Sequence, residues 1–395
     1  MDISPDLTSV PHLTPEQILE DYCIAYRSRQ LSLIARKDVM RGRAKFGAFG
    51  DGKELPEVAM ARFFQHGDFR SGYYRDQTLM MALGEITVQS FCAQLYAHAN
   101  LEHEAQSGGR QMPAHFATRS LDARGDWVDL TAQYNTSPDI SPTAGQMPRL
   151  VGLAQASVLY RGVEDLRDFA EFSHDGDEVA FGIIGNASCA EGMFWEAVNA
   201  IGVLQAPAVI TILDDGYGIS VPNEVQHTKG LSEMLEGFRR TETERGYNIY
   251  TVRGWNYQEL IAAYNEAVAW ARADHIPAII HVIELTQPQG HSTSGSHERY
   301  KSKERLQWEN DHDGIAYMRQ WMLDRGIIDE ETLEQIEADE LNSVRTQVRA
   351  AWDAFTKEIK DERYDLRKLI EAIADHSAHR DRIKALLTAM ERETV

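Results

Sequence analysis

Basic residues are in short supply: 40 Lys and Arg stand against 61 Asp and Glu in 395 residues, a formal charge of −21. A surface of that sign repels a phosphate backbone, which excludes nucleic acid as a partner. Cysteine is scarcer still. Cys23, Cys92 and Cys189 offer neither C-x-x-C spacing nor an even framework, so a disulfide scaffold and a zinc ribbon have no basis. No apolar run approaches the roughly 20 residues that span a bilayer, and Asp2 and Asp6 stand where a targeting segment would be basic. The expectation is a protein without membrane association, located in the cytoplasm. G-x-G-x-x-G and H-E-x-x-H are also missing, which counts against a NAD-binding Rossmann oxidoreductase and a zinc hydrolase.

What is present is an ordinary globular composition, 43% apolar and 26% charged, in a chain long enough for one large α/β domain with additions. The chain is organised around residues 179–222. Two short apolar runs, VAFGII and AVITIL, flank an amphipathic segment in which Phe194, Ala197, Val198, Ile201 and Leu204 recur at helical spacing. Ser188 and Glu191 read as a capping box opening that helix, and Pro207 closes it. Strand, helix and parallel strand place Asn186 and Asp215, 29 positions apart, at one edge of a sheet, where open α/β folds bind ligands. An amide oxygen and a carboxylate converging there suit a hard cation carrying phosphate oxygens.

The same stretch resembles the signature of thiamine-diphosphate enzymes, and it is most similar to the alpha subunit of 2-oxoacid dehydrogenases. In that family an acid and an asparagine bind Mg²⁺ together with a backbone carbonyl two residues on. The resemblance therefore implies Asn186, Asp215 and the carbonyl of Tyr217 as metal ligands, with acid and amide exchanged, and Gly185, Ala187 and Ser188 as cofactor-binding neighbours. Leu213 stands where alpha subunits often carry a diphosphate-binding arginine.

Further matches extend the resemblance over about residues 14–355. Tyr74 and Arg75, just before a long apolar helix expected over Leu79–His98, match a pair that grips the cofactor diphosphate. A long Gly/Pro/Ser-rich connection from Glu104 to Arg149 is of the kind that carries function. Within it Gly109–His115 matches a Gly-Arg-Gln-Met-Pro-x-His stretch, and Ser141 and Thr143 occupy positions that contact thiamine diphosphate. Gly145 replaces a potassium-binding threonine, so potassium is not expected. A lone loop histidine is commonly just solvated, but His291-Ser292-Thr293-Ser294 matches the family loop whose histidine faces the cofactor and assists acyl transfer. The acidic pair that follows there is replaced by Gly295 and Ser296.

Elsewhere, Thr14-Pro15-Glu16-Gln17 is a complete helix start, and Leu55–Phe64 and Pro148–Tyr160 read as further helices. Residues 227–245 read as a charged mobile stretch, while IYTVR and PAIIHVIEL read as strands around a helix over 257–273. The expected fold class is α/β, a mainly parallel sheet with helices on both faces and a C-terminal helical extension. The expected division is an N-terminal arm and helix over residues 1–40, with residues 1–13 a loose arm, a diphosphate-binding domain over 41–335, and a charged helical extension or linker over 336–395. The resemblance implies decarboxylation of a 2-oxoacid, branched-chain in preference, with transfer of the acyl group to lipoamide on an acyltransferase. It also implies a beta subunit or fused beta half, because no second strand-helix-strand copy is available to carry the glutamate that activates the aminopyrimidine. The competing reading is a scaffold that keeps the fold and has lost cofactor binding.

Overall fold

The computed structural model describes residues 13–392, so the arm expected over residues 1–13 lies, but for Leu13, outside the described residues. The chain opens with α1 (Pro15–Met40), α2 (Glu54–Ala61), β1 (Phe69–Ser71), α3 (Gln77–Ala82), α4 (Val88–Leu95) and β2 (Asn135–Thr136). Next come α5 (Gln146–Gly162), β3 (Ala180–Gly185), α6 (Gly192–Leu204), β4 (Ala208–Leu213) and a small ribbon, β5 (Tyr217–Gly218) with β6 (Val221–Pro222). Then follow α7 (Asn223–Gln226), α8 (Leu231–Leu235), β7 (Asn248–Arg253), α9 (Tyr257–Asp274) and β8 (Ala278–Ile283). The helices α10 (Lys303–Asp311), α11 (Gly314–Asp324), α12 (Glu330–His376) and α13 (Arg380–Arg392) complete it.

Six strands form one sheet in the order β2-β1-β3-β4-β8-β7, and every neighbouring pair is parallel. A parallel sheet needs both faces covered, and the apolar runs divide accordingly. Phe181, Ile183, Val209 and Leu213 face a cluster built with α2, α9 and α11, whereas Ala180, Ile184, Ile210 and Ile212 face α5 and α6. A third cluster holds α3 and α4 against α1 and the first half of α12 through Leu31, Phe91, Val344 and Val348. The fold is the expected α/β class, with helices on both faces and a helical C-terminal region. No described helix is long and apolar enough to cross a membrane.

Several local expectations are met. Thr14 and Gln17 cap α1 reciprocally with Pro15 in its first turn, and β3, β4, β7 and β8 fall on the expected runs. Others are corrected. The single helix expected over Leu79–His98 is two, because Gly84 turns left-handed (φ +77°) and a new capping box, Thr87 with Ser90, starts α4. Ser188 and Glu191 form no capping box: Asn186–Ala190 is a 3₁₀ turn, and α6 begins at Gly192 without a side-chain cap. The stretch read as mobile is pinned by α8, whose Leu231 and Leu235 lie one helical turn apart in the core beneath the sheet. Residue 336, expected as a boundary, falls inside α12, which runs unbroken from Glu330 to His376.

Candidate active site

Because every strand of the sheet is parallel, the loops leaving β2, β1, β3, β4 and β8 emerge side by side at one edge. Chain order reverses between β1 and β3: β2 lies on one side of β1, and β3 and β4 continue on the other. Open α/β sheets place their ligand crevice at such a point. The loops carry Ser141 and Thr143, Tyr74 and Arg75, Asn186 to Ser188, Asp215 and Tyr217, and His291. The expected site residues therefore converge from five segments of the chain.

Tyr74 and Arg75 are held by a buried charge network. Arg70, fully buried at the start of this edge, donates to Asp76 Oδ2 at 2.9 Å and to Asp139 Oδ2 at 2.9 Å. Asp76 Oδ2 also accepts the Tyr73 N–H at 3.0 Å, so its carboxylate cannot cap α3. Glu57 of α2 does so instead, accepting the N–H groups of Thr78 and Leu79 at 2.9 and 3.0 Å. The turn between β1 and α3 is thus clamped from both ends. Arg75, 3% exposed, donates to the carbonyl oxygens of Phe49 at 2.5 Å and His291 at 2.8 Å. The Gln287 amide, turned to satisfy its neighbours, accepts from Arg75 at 2.9 Å and donates to Asp215 Oδ2 at 3.1 Å. Among the described residues Arg75 makes no ion pair.

His291 Nε2 lies 3.2 Å from the Tyr74 hydroxyl. Burial, and after it the neighbouring Arg75, pushes the His291 imidazole down to about 4. It is therefore neutral at neutral pH, able to accept or donate at a ring nitrogen.

The residues expected to hold Mg²⁺ come together but are already committed. Asn186 Nδ2 donates to the Tyr217 carbonyl at 3.2 Å and to Asn223 Oδ1 at 2.6 Å. Asp215, 6% exposed, receives the Lys53 ammonium on Oδ2 at 2.7 Å and the Tyr217 N–H on Oδ1 at 3.1 Å. Burial raises the Asp215 carboxyl, but Lys53, Arg75 and Lys301 together outweigh it, and the net shift is downward. No group of three or more His, Cys, Asp or Glu side chains among the described residues could hold a metal ion. Hard divalent cations favour several convergent oxygens, carboxylates above all. An amide turned nitrogen-first and a carboxylate paired to lysine do not supply them, so this donor set does not fit Mg²⁺ in the implied form.

Between these loops opens a cavity of about 520 Å³, the size of a cofactor or small-ligand site. Ser141, Thr143, Ala187, Ser188, Tyr74 and His291 line it, along with Met112, Ile140, Ile219 and Val221. Ser141 Oγ lies 3.2 Å from His115 Nε2. Gly185, the last residue of β3, stands behind the wall with Tyr73 Cε2 3.7 Å from where a Cβ would be. Leu213 points away, 1% exposed in the apolar core. At the end of β4 Arg305 donates to the Asp215 carbonyl at 2.8 Å, and Lys301 and Arg305 share Glu309 at 2.6 and 2.9 Å. A chain of net charge −21 thus gathers four basic side chains, Lys53, Arg75, Lys301 and Arg305, at one strand edge.

A basic corner at the carboxyl edge of a parallel sheet, beside an apolar cavity, is the arrangement of a ligand-binding α/β domain. The chain belongs to the dehydrogenase E1 component family, which matches residues 26–360. It is 26% identical over 326 residues to the mitochondrial 2-oxoisovalerate dehydrogenase subunit alpha of Mus musculus, covering 81% of this chain and 64% of that one. The corresponding Homo sapiens subunit gives the same figures, 26% over 326 residues. For 2-oxoisovalerate dehydrogenase subunit alpha of Bacillus subtilis the identity is 26% over 305 residues, 77% of this chain and 80% of that one. The chain spans 64% of the length of the two animal relatives, just under two thirds.

Sequence reading missed Lys53, Gln287, Lys301, Arg305 and Asn223. Lys53 is 162 residues from Asp215, and nothing local in Asp51-Gly52-Lys53-Glu54 announces that contact. His115 was noticed only as part of a matching stretch.

Proposed function

We propose that the chain is the diphosphate-binding half of a thiamine-diphosphate-dependent 2-oxoacid dehydrogenase, acting on a branched-chain 2-oxoacid. The observation that carries this reading is Arg75. A guanidinium 3% exposed whose contacts are carbonyl oxygens, with no ion pair among the described residues, keeps its charge available to an incoming anion, and a diphosphate is such an anion. The apolar cavity beside it, with Ala187, Ser188 and Thr143 on its wall, fits a heterocycle attached to that anion. Family membership carries the same cofactor dependence.

When bound, thiamine diphosphate supplies the electron sink for loss of CO₂ from a 2-oxoacid. The chain's own residues do the rest. Arg75 and the basic corner around it hold the anionic end, so that binding does not rely on surface charge. The Tyr74 hydroxyl fixes the ring of His291. His291, neutral at working pH, takes or gives a proton at the reacting end of the cavity. Met112, Ile140 and Ile219 give the cavity an apolar wall that favours a branched aliphatic side chain over a methyl group. No step is assigned to a metal ion.

A beta subunit, or a fused beta half, is proposed to close the cavity and provide the missing glutamate, with a lipoyl acyltransferase as the acceptor of the acyl group. Support comes from the cavity mouth, where Met112, Ile140, Ile219 and Val221 are 43, 41, 61 and 41% exposed. Apolar side chains clustered at a pocket rim mark a surface that another chain covers. Calorimetric titration of thiamine diphosphate, with and without a beta subunit, tests the reading. Binding that tightens with the partner, followed by decarboxylation of a branched 2-oxoacid in preference to pyruvate, is the expected result. A stable complex that binds no cofactor would refute it.

A further inference from the structure

Lys53 is 1% exposed, and its ammonium rests between Asp215 Oδ2 and the Thr286 carbonyl, at 2.7 and 3.0 Å. We propose that this ammonium replaces the divalent cation at the diphosphate end of the site, so that thiamine diphosphate binds this chain without a metal. The inference rests on the function proposed above and adds how its anionic end is neutralised.

Four observations converge on it. Asp215, the acidic member of the implied metal set, is engaged on both oxygens: Lys53 and Gln287 share Oδ2, and the Tyr217 N–H takes one site of Oδ1. Asn186 meets the Tyr217 carbonyl with its amide nitrogen, at 3.2 Å, so two groups meant to flank a cation already bond to each other. Leu213, standing where alpha subunits often carry an arginine, is buried in the core, and Lys53 returns a positive charge to the same strand end from a different segment. Finally, an ammonium carries three donors. Among the described residues Asp215 and Thr286 take two, which leaves one for a phosphate oxygen.

The position of Lys53 is built rather than incidental. Gly52 adopts φ +88°, and a Cβ there would lie 2.0 Å from the Thr286 oxygen. Only glycine lets the backbone approach this carbonyl closely enough to seat the next residue's side chain on it. A divalent ion entering the site would have to displace the lysine or share Asp215 with it, against the repulsion of like charges in a buried place.

The test is equilibrium binding of thiamine diphosphate to the full chain, alone and with a beta subunit, in excess EDTA and in Mg²⁺. For the natural chain the two dissociation constants should agree within about threefold. Lys53→Gln alone leaves Asp215 unpaired and threatens folding, so the informative variant is Lys53→Gln with Asp215→Asn, checked for native circular dichroism. It should bind about 30-fold or more weakly in EDTA and in Mg²⁺ alike, since it keeps no carboxylate for a metal, while Lys53→Arg should stay independent of metal. Natural-chain binding that requires Mg²⁺ by 100-fold or more would overturn the inference and leave the proposed function standing. Absence of binding in both conditions, with a complex formed, would overturn both.

Discussion

Replacing Arg70 with methionine keeps the aliphatic stem and removes the guanidinium from a site where the side chain is wholly buried. Two carboxylates then lose their shared cation, since Asp76 and Asp139 both place Oδ2 within 2.9 Å of Arg70 Nη2. Neither can turn to water, for Asp76 is fully buried and Asp139 is 3% exposed. Breaking a buried pair by removing one partner costs about 3–5 kcal/mol, and two stranded acids place this case at the upper end. Burial already raises the Asp76 carboxyl above the usual range against the pull of Arg70. Without Arg70 the Asp76 carboxyl rises further, so the deficit grows as pH rises above neutrality and shrinks toward acid, where protonation removes the stranded charge. Urea unfolding followed by tryptophan fluorescence and circular dichroism measures the loss, and amide exchange locates it at Tyr73–Gln77 and at Phe116, whose N–H also depends on Asp139 at 2.9 Å. The triple variant Arg70→Met, Asp76→Asn, Asp139→Asn keeps the acceptors for Tyr73 and Phe116 and removes the charges, so it should recover at least half of the loss. A single-variant loss below about 1 kcal/mol, or a triple variant no better than the single, would refute the reasoning.

Gly52→Ala should cost about 2–4 kcal/mol, through left-handed backbone strain and the clash with Thr286, and should lower the melting temperature by several degrees. His291, pushed down to about 4 from about 6.5 in the unfolded chain, resists protonation that the unfolded state accepts. Stability should therefore fall as pH drops from about 6.5 to about 4, by on the order of 1–3 kcal/mol from this group, and His291→Asn should flatten that limb of the pH–stability curve. Gly218→Ala brings a Cβ to 2.5 Å from Ala187 Cβ on the cavity wall. It should weaken thiamine diphosphate binding about tenfold, read by calorimetry, and lower the melting temperature by a few degrees.

Legibility of this chain in its sequence followed the range of the interaction concerned. β3, β4 and β8 are apolar runs bounded by turn residues, and α1 carries its start signal within four residues, so all were readable locally. The break between α3 and α4 was not, because Gly84 reads as a tolerated helical glycine until its φ of +77° is seen. At Ser188 a local rule gave the wrong answer: the 3₁₀ turn there leaves Asn186 bonded to Tyr217 and Asn223, partners 31 and 37 residues away. The same holds at the site. Tyr74, Arg75, Ser141, Thr143, Ala187, Ser188 and His291 were placed by resemblance and do gather at one strand edge. Lys53 was invisible because its meaning lies in a carboxylate that only the folded sheet brings near. Charge patterning likewise misled over residues 227–245, where two leucines one turn apart outweigh the surrounding charges.

The pairing of α1 with α12 sets a timetable for synthesis. Tyr22 donates to Glu337 across 315 residues, and Arg27 makes a two-pronged contact with Glu340 across 313. Leu31 and Ala35, fully buried in the finished protein, leave the ribosome about 310 residues ahead of Val344 and Val348, with which they share a cluster. At roughly 5–20 residues per second that interval is about 15–60 s. For that period the face of α1 destined for α12 has no native cover. Deleting α12 should therefore send the chain to chaperones or into aggregates instead of leaving a smaller folded core, a result that a chase of newly made full-length and shortened chains would reveal.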